Sequence, residues 1–351
     1  MALQSDVSTP LNIALFGVGR WGTHLLRNLL AHPRVCLQAV VEASSDRLAA
    51  IEAELDHNSD SSVMLTSDWQ AAMGLERLDA CVIATPAATH YELIEAALNQ
   101  GLHVLAEKPL TLNVDSAKTL CELARKQQRQ LVIDHTYLFH SAVKEGKKAI
   151  AHLGPLRYGY ATRTHLGPVR RDVDALWDLA IHDISIFNHW LGESPVKVQC
   201  QGSSWLQPDI QTPLSPNGLA DMAWCRLQYS SGFQATIHLC WANPDKQRRL
   251  CIVGDEATLI FDEMNREQPL IEQRGSFAEQ DVWFTPQNVE TVAVDLAESE
   301  PLGEVCNHFV ACIEGDRPSE ISSGDTGQAL VRVLVALSQS LREGGKWTEV
   351  E

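Results

Sequence analysis

Basic residues are scarce in this sequence. Lys and Arg together number 28, against 45 Asp and Glu, and the formal net charge is −17. Because a surface that binds nucleic acid needs a basic footprint, this balance argues against DNA or RNA as a partner. A few local Arg and Lys residues can still bind an anionic small molecule, and most of the negative charge indicates a solvated surface.

Other features are missing as well. No apolar run approaches the roughly 20 residues of a membrane-spanning helix, so we expect no membrane partner. The first ten residues are polar and lack the apolar core of a secretion signal. The nine cysteines contain no Cys-x-x-Cys pair, and the histidines lack metal-ligand spacing, so no metal is expected. These absences together predict a reduced, cytoplasmic protein.

The first third of the chain alternates short apolar runs with helical periodicity. Apolar runs that are buried on both faces and separated by helices predict βαβ units and a parallel sheet. We therefore expect an α/β domain over residues 1–135. The predicted strands cover 11–16, 35–42, 78–85, 102–107 and 130–134, and the predicted helices cover 21–30, 45–55, 89–101 and 113–127.

A glycine motif lies directly between the first predicted strand and the first helix. In a dinucleotide-binding Rossmann domain, Gly17 would permit the tight turn, Gly19 would let the pyrophosphate approach the backbone, and Gly22 would allow close packing of helix on strand. The pyrophosphate would then rest on the helix N-terminus. An unliganded glycine turn is the alternative. The predicted cofactor-binding turn comprises Gly17, Gly19, Arg20, Trp21 and Gly22.

An acidic residue, Glu42, closes the second strand twenty residues after Gly22. Its carboxylate is expected to accept hydrogen bonds from the adenosine ribose and to repel a 2′-phosphate, which favours NAD over NADP. Ser44, Ser45 and Arg47 follow at once and could soften that preference. NADP therefore stays open as the cofactor.

After residue 135 the pattern changes to a second domain, over 136–351. Its helices and alternating strands predict an α+β domain with a largely antiparallel open sheet. A Trp- and Tyr-rich face near 224–241 would need covering, so we expect a homo-oligomer, a dimer or a tetramer. The last helix, 326–343, is free to pack back toward the first domain. The predicted elements are helices over 138–154, 174–192, 302–314 and 326–343, strands over 156–167, 196–205, 221–241, 248–261 and 289–295, and irregular segments over 202–218 and 263–288.

Two further stretches carry chemistry. Lys108 lies at the C-terminal end of a core parallel strand, where open α/β sheets bind ligands, and it could move a proton or polarise a carbonyl. Asp178 and His182 stand four residues apart on a helix, so the carboxylate could orient the imidazole as a general base. Pairing of Lys108 with Glu107, and an ordinary helix carboxylate with a satisfied histidine, are the alternatives. Asp183 points about 100° away and is expected to be structural.

Together these motifs resemble one family. The turn GVGRWG, then TPAATH (85–90), HVLAEKP (103–109) and the D-x-x-x-H helix look like the Gfo/Idh/MocA oxidoreductases over nearly the whole chain. The resemblance implies NAD(P)-dependent hydride transfer to or from a ring carbon of a sugar, cyclitol or nucleotide sugar. It implies a catalytic group of Lys108, Asp178 and His182. It also implies that Thr85, Pro86 and His90 line the cofactor, with Glu107 on the nicotinamide side.

Two departures bear on the substrate. The stretch RRDVDALWD replaces a Gly-Gly pair found in many members, and HTYLFH (135–140) lacks the Arg or Asn of many sugar dehydrogenases, which argues against a free aldose. The string RTHLGPVRRDVDALWDLAIHDIS is instead similar to a branch associated with UDP-sugar 3-oxidation. Because arginine suits bidentate phosphate contacts, a nucleotide-sugar diphosphate is a reasonable substrate. Exposed surface charge is the alternative for Arg170 and Arg171. The candidate substrate contacts are Arg163, His165, Arg170 and Arg171.

The predicted reaction is oxidation of a secondary hydroxyl. His182, held by Asp178, would remove the hydroxyl proton while Lys108 stabilises the developing carbonyl oxygen, and Lys108 and His182 could exchange roles. The alternatives are an inositol or free-sugar dehydrogenase, an enzyme that recycles a tightly bound NAD, and a catalytically silent NAD-responsive binding protein.

Overall fold

The computed structural model describes residues 9–57 and 63–351, and the chain divides into two compact units. Unit 1 comprises the chain up to Thr136 together with Glu300–Gln328, and unit 2 comprises Tyr137–Ser299 together with Ala329–Glu351. Residues 1–8, most of the segment that was read for a secretion signal, lie outside the described part. Within the described part, no helix has the length and apolar character to cross a bilayer.

Unit 1 is built on a sheet whose strands all run parallel. Its strands are β1 (Leu11–Phe16), β2 (Val35–Val41), β3 (Met64–Thr66), β4 (Ala80–Ile83), β5 (His103–Glu107) and β6 (Leu131–Asp134). They are ordered β3-β2-β1-β4-β5-β6, so the strand order reverses between β1 and β4. Ligands in open α/β sheets bind at such a reversal, beyond the C-terminal strand ends. The predicted Rossmann architecture is confirmed.

Both units contain helices as well as strands. The short strand β3 escaped prediction because it has only three residues and all of them are half-buried. The helix over Trp69–Met73 was also not predicted, because five residues are too few to show a helical period. The helices of the described residues are α1 (Gly22–Ala31), α2 (Ser45–His57), α3 (Trp69–Met73), α4 (His90–Asn99), α5 (Val114–Gln127), α6 (Ser141–Ala149), α7 (Ile181–Leu191), α8 (Pro301–Glu314) and α9 (Gly324–Arg342).

The chain returns to unit 1 late in the sequence. Helix α8 packs against α1 and β6, although the sequence placed residues 302–314 in the second domain. The Ser322 hydroxyl donates to the Ile133 carbonyl at 2.7 Å, and Ser323 forms an antiparallel bridge with Val132. Because β6 lies at the edge of the sheet, this segment bonds polar backbone groups that an edge strand leaves unpaired.

Unit 2 carries a sheet of mixed but mostly antiparallel strands. They are β7 (Leu156–Leu166), β8 (Pro195–Ser203), β9 (Met222–Tyr229), β10 (Gln234–Cys240), β11 (Ala242–Gly254), β12 (Ala257–Asp262), β13 (Leu270–Gln280), β14 (Trp283–Ala293) and β15 (Thr348–Glu349). Their order is β14-β13-β12-β11-β7-β10-β9-β8-β15. Among the described strands of this sheet, only the pair β7 and β10 runs parallel. The predicted α+β class with a largely antiparallel sheet is confirmed.

One face of the central strands is buried and the other is open. In β9 the inward residues Ala223, Cys225 and Leu227 are fully buried, whereas Trp224 between them is exposed. Trp224 stacks on His238 of β10, with 4.1 Å between ring centroids. This period-two alternation is what made these strands visible in the sequence.

The expectation of an irregular excursion over 263–288 is wrong. Strands β13 and β14 pair in register from Ile271–Ala293 to Gln280–Trp283 and form a long hairpin. Almost every residue of β14 is exposed, and so is the outer half of β13. Since neither face of this outer hairpin is buried, its sequence has no apolar alternation from which a strand could be predicted.

Candidate active site

The three glycines of the turn after β1 have distinct steric environments. Gly17 has φ +87°, and a Cβ there would lie 2.8 Å from the Ala84 carbonyl oxygen. A Cβ on Gly22 would lie 2.1 Å from the Gly17 carbonyl oxygen, so the helix can approach the strand only without one. At Gly19 a Cβ would meet only the Arg47 guanidinium, at 3.9 Å. The space over Gly19 is therefore open.

This open space lies beside the start of α1. The residue before the helix, Trp21, provides no side-chain cap, and the first turn of the helix contains no acidic residue. Arg20 is exposed next to it. An uncapped helix N-terminus next to an open glycine backbone suits an anion, because the helix dipole and the first N–H groups both favour negative charge. The residues of this turn fit a dinucleotide pyrophosphate.

Glu42 lies at the end of β2 with its carboxylate buried. The carboxylate accepts a hydrogen bond from the Val18 amide at 2.9 Å and another from the Ser44 amide at 3.0 Å. The Arg47 guanidinium lies 3.7 Å away. Glu42 thus holds the glycine turn in shape and places negative charge at the end of the second strand.

His90 corrects a sequence expectation. Its side chain is 1% exposed, with Nδ1 lying 2.9 Å from the Pro109 carbonyl and Nε2 lying 2.9 Å from the Thr85 carbonyl. The imidazole thus joins the loop after β4 to the loop after β5 and has no surface to offer a cofactor. Thr85 accepts a hydrogen bond from the Thr89 hydroxyl at 2.7 Å, and Pro86 is exposed beside it.

Two carboxyl groups meet at the C-terminal edge of the sheet. Glu107 and Asp134 are register partners at the ends of β5 and β6, so the two acids are neighbours across these strands. Asp134 also accepts from the Trp21 indole at 3.2 Å and from the Thr136 hydroxyl at 2.7 Å. Lys108 follows Glu107 and precedes a cis peptide bond to Pro109.

Both of these carboxyl groups have raised pKa values. Burial and the neighbouring Asp134 raise the pKa of Glu107 well above its ordinary range. Burial also raises the pKa of Asp134, although the hydrogen bonds from Thr136 and Trp21 oppose the shift. Sequence reasoning missed Asp134. The signal was available, because Asp134 closes a buried parallel strand just as Glu107 does.

In unit 2, Asp178 lies in a π-helical turn, Leu176–Ala180, that runs directly into α7 with His182 in its first turn. Such turns are rare and occur often at functional sites. The Asp178 carboxylate accepts from Arg170 Nη1 at 3.3 Å and from the Trp241 indole at 3.3 Å. The His182 ring lies 5.0 Å from that of Tyr137, centroid to centroid.

Arg163 corrects a second expectation. Its guanidinium is 3% exposed and donates to both oxygens of Asp183, at 2.9 and 3.0 Å. A third donor, Nη1, bonds the Tyr137 hydroxyl at 2.9 Å. Burial opposes the charge, but the attraction of Asp183 keeps the pKa of Arg163 raised. Arg163 is therefore a buried structural cation and not a contact for substrate phosphate, and Asp183 has the structural role expected of it.

Tyr137 is the centre of the surrounding polar cluster, which sequence reasoning missed. Its hydroxyl accepts from Arg163 and, at 3.2 Å, from Arg248, and it donates to Glu263. Arg248 also donates to Glu263, at 2.8 Å. No local motif marks this cluster, because its members are separated by up to 126 residues. The cluster fixes the phenol ring that lies against His182.

The remaining predicted substrate contacts have different environments. Arg170 donates to both oxygens of Asp172 as well as to Asp178, so it ties Asp178 to the preceding loop. His165 is half-buried with Nδ1 2.9 Å from the Gly167 carbonyl, and burial lowers its pKa. Arg171 is exposed. Among the described residues, no group of three or more His, Cys, Asp or Glu side chains could hold a metal ion.

Two family models match the chain, one in each half. Residues 11–135 match the model described as the oxidoreductase family with an NAD-binding Rossmann fold, and residues 154–260 match the GFO/IDH/MocA C-terminal domain. Together they cover most of the chain, in the order in which the sequence motifs occur.

Similar proteins include named dehydrogenases. The chain is 27% identical to UDP-N-acetylglucosamine 3-dehydrogenase of Acidithiobacillus ferrooxidans, over 94% of this chain and 96% of that protein. It is 23% identical to scyllo-inositol 2-dehydrogenase (NAD(+)) of Bacillus subtilis, over 94% of each. A crystal structure of the Acidithiobacillus enzyme superposes with a TM-score of 0.80, at 24% identity, covering 95% of this chain and 98% of that one. The last comparison bears on the fold alone.

Proposed function

This chain belongs to the Gfo/Idh/MocA oxidoreductases, and we propose that it oxidises a secondary hydroxyl of a nucleotide sugar with NAD. The observation that carries the substrate class is the likeness to a UDP-sugar 3-dehydrogenase along nearly the full length of both chains. The position of Arg171 adds to it. This arginine is exposed in unit 2, a few residues before Asp178, where it can contact a diphosphate.

The catalytic residues in this proposal are Lys108, Asp178 and His182. Asp178 is fixed by Arg170 and Trp241, and His182 is backed by the Tyr137 ring. His182 takes the hydroxyl proton as general base, and Lys108 stabilises the negative charge on the oxygen as the carbonyl forms. The reverse assignment of Lys108 and His182 is tested by the same variants. NAD, when bound, supplies the hydride acceptor.

The cofactor preference in this proposal comes from Glu42. Its charge at the end of β2 disfavours a 2′-phosphate and suits the two hydroxyls of an NAD ribose. Glycine-turn residues 17–22 would hold the pyrophosphate, with Thr85 and Pro86 beside that turn. Glu107 is proposed on the nicotinamide side, at the carboxyl end of its strand.

The decisive experiment is a panel of UDP-sugars, free aldoses and inositols, each with NAD and NADP, followed by nicotinamide absorbance. We expect NADH to accumulate with a UDP-sugar. Turnover of inositols instead would favour a second function, to which the likeness to the Bacillus inositol dehydrogenase points. Saturable NAD binding without turnover of any substrate would indicate a binding protein.

The catalytic assignment is tested with variants that keep side-chain size. Lys108→Met and His182→Asn should each lower kcat by at least about a hundredfold while NAD still binds. Matched controls are Lys118→Met on the surface of α5 and His189→Asn further along α7, which should keep kcat close to wild type. Near-normal turnover in Lys108→Met or His182→Asn would remove that residue from the mechanism.

Two further properties are part of the proposal. We propose a cytoplasmic protein, since the thiols of all nine cysteines are free.

We also propose a homo-oligomer, a dimer or tetramer, that covers the open face of the unit 2 sheet. On that face Tyr158, Tyr160 and Trp224 are each at least 39% exposed. Sedimentation velocity of wild type and Trp224→Ser tests the interface, and a monomeric wild type would refute it.

A further inference from the structure

The meeting of Glu107 and Asp134 is unusual for two acids. They are register partners across parallel strands, Asp134 is 2% exposed, and the Oε1 atom of Glu107 is buried. Burial removes the water that would otherwise stabilise two neighbouring carboxylates, so at least one of the pair holds a proton. Like charges at this separation also disfavour double ionisation, as in other carboxylate dyads.

The hydrogen bonds show which acid holds the proton. Asp134 accepts from Trp21 Nε1 and from the Thr136 hydroxyl, and both donors favour its charged form. The Lys108 backbone favours the charged form of Glu107, but Glu107 Oε1 is buried and has no hydrogen-bond partner among the described residues. An unpaired oxygen costs far less on a neutral acid than on a buried carboxylate. The proton therefore belongs on Glu107 and the negative charge on Asp134.

The groups facing this pair come from several elements. Lys108 acts electrostatically on both acids and on His135, the neighbour of Asp134. Burial lowers the pKa of His135 to about 3, so that ring is neutral at pH 7. From α8, burial and Asp134 raise the pKa of Cys306 to about 12, so that group is a thiol. Lys108 is thus the cation that the pair faces within this cluster.

We propose that Glu107 and Asp134 share one proton and present a single negative charge beside Lys108, making Glu107 and Asp134 positioning residues for that lysine. Loss of the shared proton at high pH places a second negative charge next to Lys108 and binds the ammonium more tightly. The pH at which the pair loses its shared proton is therefore the pH above which Lys108 lies beside two negative charges and no longer beside one. Only the link to catalysis rests on the proposed function.

Infrared spectroscopy tests the shared proton without any substrate. The full-length protein in heavy water near neutral pH should show the carbonyl band of a protonated carboxylic acid that Glu107→Gln lacks. A difference spectrum is needed because the buried Asp174 also has a raised pKa. The control Glu122→Gln, on the surface of α5, should keep the band. A wild-type spectrum identical to that of Glu107→Gln would overturn the proposal.

Stability against pH provides an independent readout. An acid whose pKa is raised by folding stabilises the protein at low pH, and the effect is lost as the pH rises through the folded-state pKa. The contribution of Glu107 to the free energy of unfolding should therefore fall as the pH rises above 4.5, the ordinary pKa of Glu. The pH curve of Glu107→Gln should lack this contribution, whereas the curve of Glu122→Gln should retain it. Asp134→Asn should lower the urea midpoint at pH 7, because its amide cannot accept from both Trp21 and Thr136. Parallel pH curves for wild type and Glu107→Gln would contradict a proton on Glu107.

The catalytic link is tested last, with the substrate found in the panel. The alkaline limb of kcat should move in Glu107→Gln but not in Glu122→Gln. An unchanged limb, with the infrared and stability results as expected, would leave the shared proton standing and refute its role beside Lys108. If no substrate turns over, the proposed function fails while the first two measurements still decide the shared proton.

Discussion

At the scale of single residues, the buried charges of this molecule depend on partners distant in sequence. Arg163 and Asp183 are 20 residues apart, and each is at most 4% exposed. A buried pair of this kind contributes little net stability when intact, but loss of one partner leaves an unpaired charge in an apolar environment. The main effect of the pair is thus to fix the packing of α7 on β7, and its net contribution to stability is small.

Arg163→Met should lower the free energy of unfolding by about 3–5 kcal/mol, because Asp183 is left buried and unpaired. The double variant Arg163→Met with Asp183→Leu should lose less, since no lone charge remains. Urea denaturation measures both. The control Arg157→Met, at the exposed pair with Asp255, should cost at most about 1 kcal/mol. A loss in Arg163→Met no larger than in this control would contradict the buried-charge argument.

Glu42→Ser should move the ratio of kcat/KM for NAD over NADP toward NADP by at least about tenfold. The carboxylate that repels a 2′-phosphate is removed, and Arg47 loses the acid that lies 3.7 Å from it. The measurement is steady-state kinetics with both cofactors on one substrate. Glu54→Ser on α2 serves as the matched control. An unchanged ratio would show that Glu42 serves only to hold the glycine turn.

At the scale of secondary-structure elements, the outer half of the β13–β14 hairpin extends beyond any buried core. Phe277, Trp283 and Phe284 are each at least 65% exposed. Hydrophobic burial stabilises a strand only where a face is covered. In the monomer, these residues therefore contribute almost nothing to folding stability.

Replacing residues 275–289 by Asn-Gly joins the cross-strand partners Arg274 and Glu290 through a two-residue turn. We expect the melting temperature of unit 2 to change by less than about 3 °C, the shift that corresponds to roughly 1 kcal/mol in a cooperative unit of its size. Differential scanning calorimetry measures it. A larger fall, together with a change in sedimentation coefficient, would mean that a second copy covers the hairpin.

The same scale shows what could be predicted from sequence. Strands β1, β4 and β5 were predicted because each is an apolar run bounded by Gly or Pro signals, and the glycine turn because its spacing reflects backbone sterics. The hairpin was missed because it buries neither face. Arg163 was wrongly predicted to contact substrate, and the pairing of Glu107 with Asp134 was not predicted. Both depend on burial and on the register between strands, which local periodicity does not report.

At the scale of the whole molecule, two histidines with lowered pKa values contribute to the loss of stability in acid. Burial lowers the pKa of His103 to about 4 and that of His135 to about 3, from an ordinary value of 6.5. A base whose pKa is lowered by folding binds its proton more readily when unfolded. Stability is therefore present above pH 6.5 and is lost as the pH falls toward these folded-state values.

The free energy of unfolding, measured by urea denaturation, should consequently fall from pH 6.5 to pH 5, with each histidine contributing a slope of up to about 1.4 kcal/mol per pH unit. His103→Gln should reduce the slope by one of these contributions, because glutamine cannot bind a proton. His24→Gln, at an exposed position, should leave the slope unchanged. Identical slopes in His103→Gln and wild type would contradict the lowered pKa.

The late return of Glu300–Gln328 to unit 1 has a consequence for biosynthesis. The ribosome completes β6 long before it makes α8 and Ser322. More than 150 residues of unit 2 are therefore synthesised while the β6 edge of the parallel sheet is still uncovered. Domains that are continuous in sequence can fold as they emerge, but this one cannot be completed until nearly the whole chain has been made. A chain interrupted after β6 but before residue 300 therefore leaves the β6 edge exposed to chaperones and proteases.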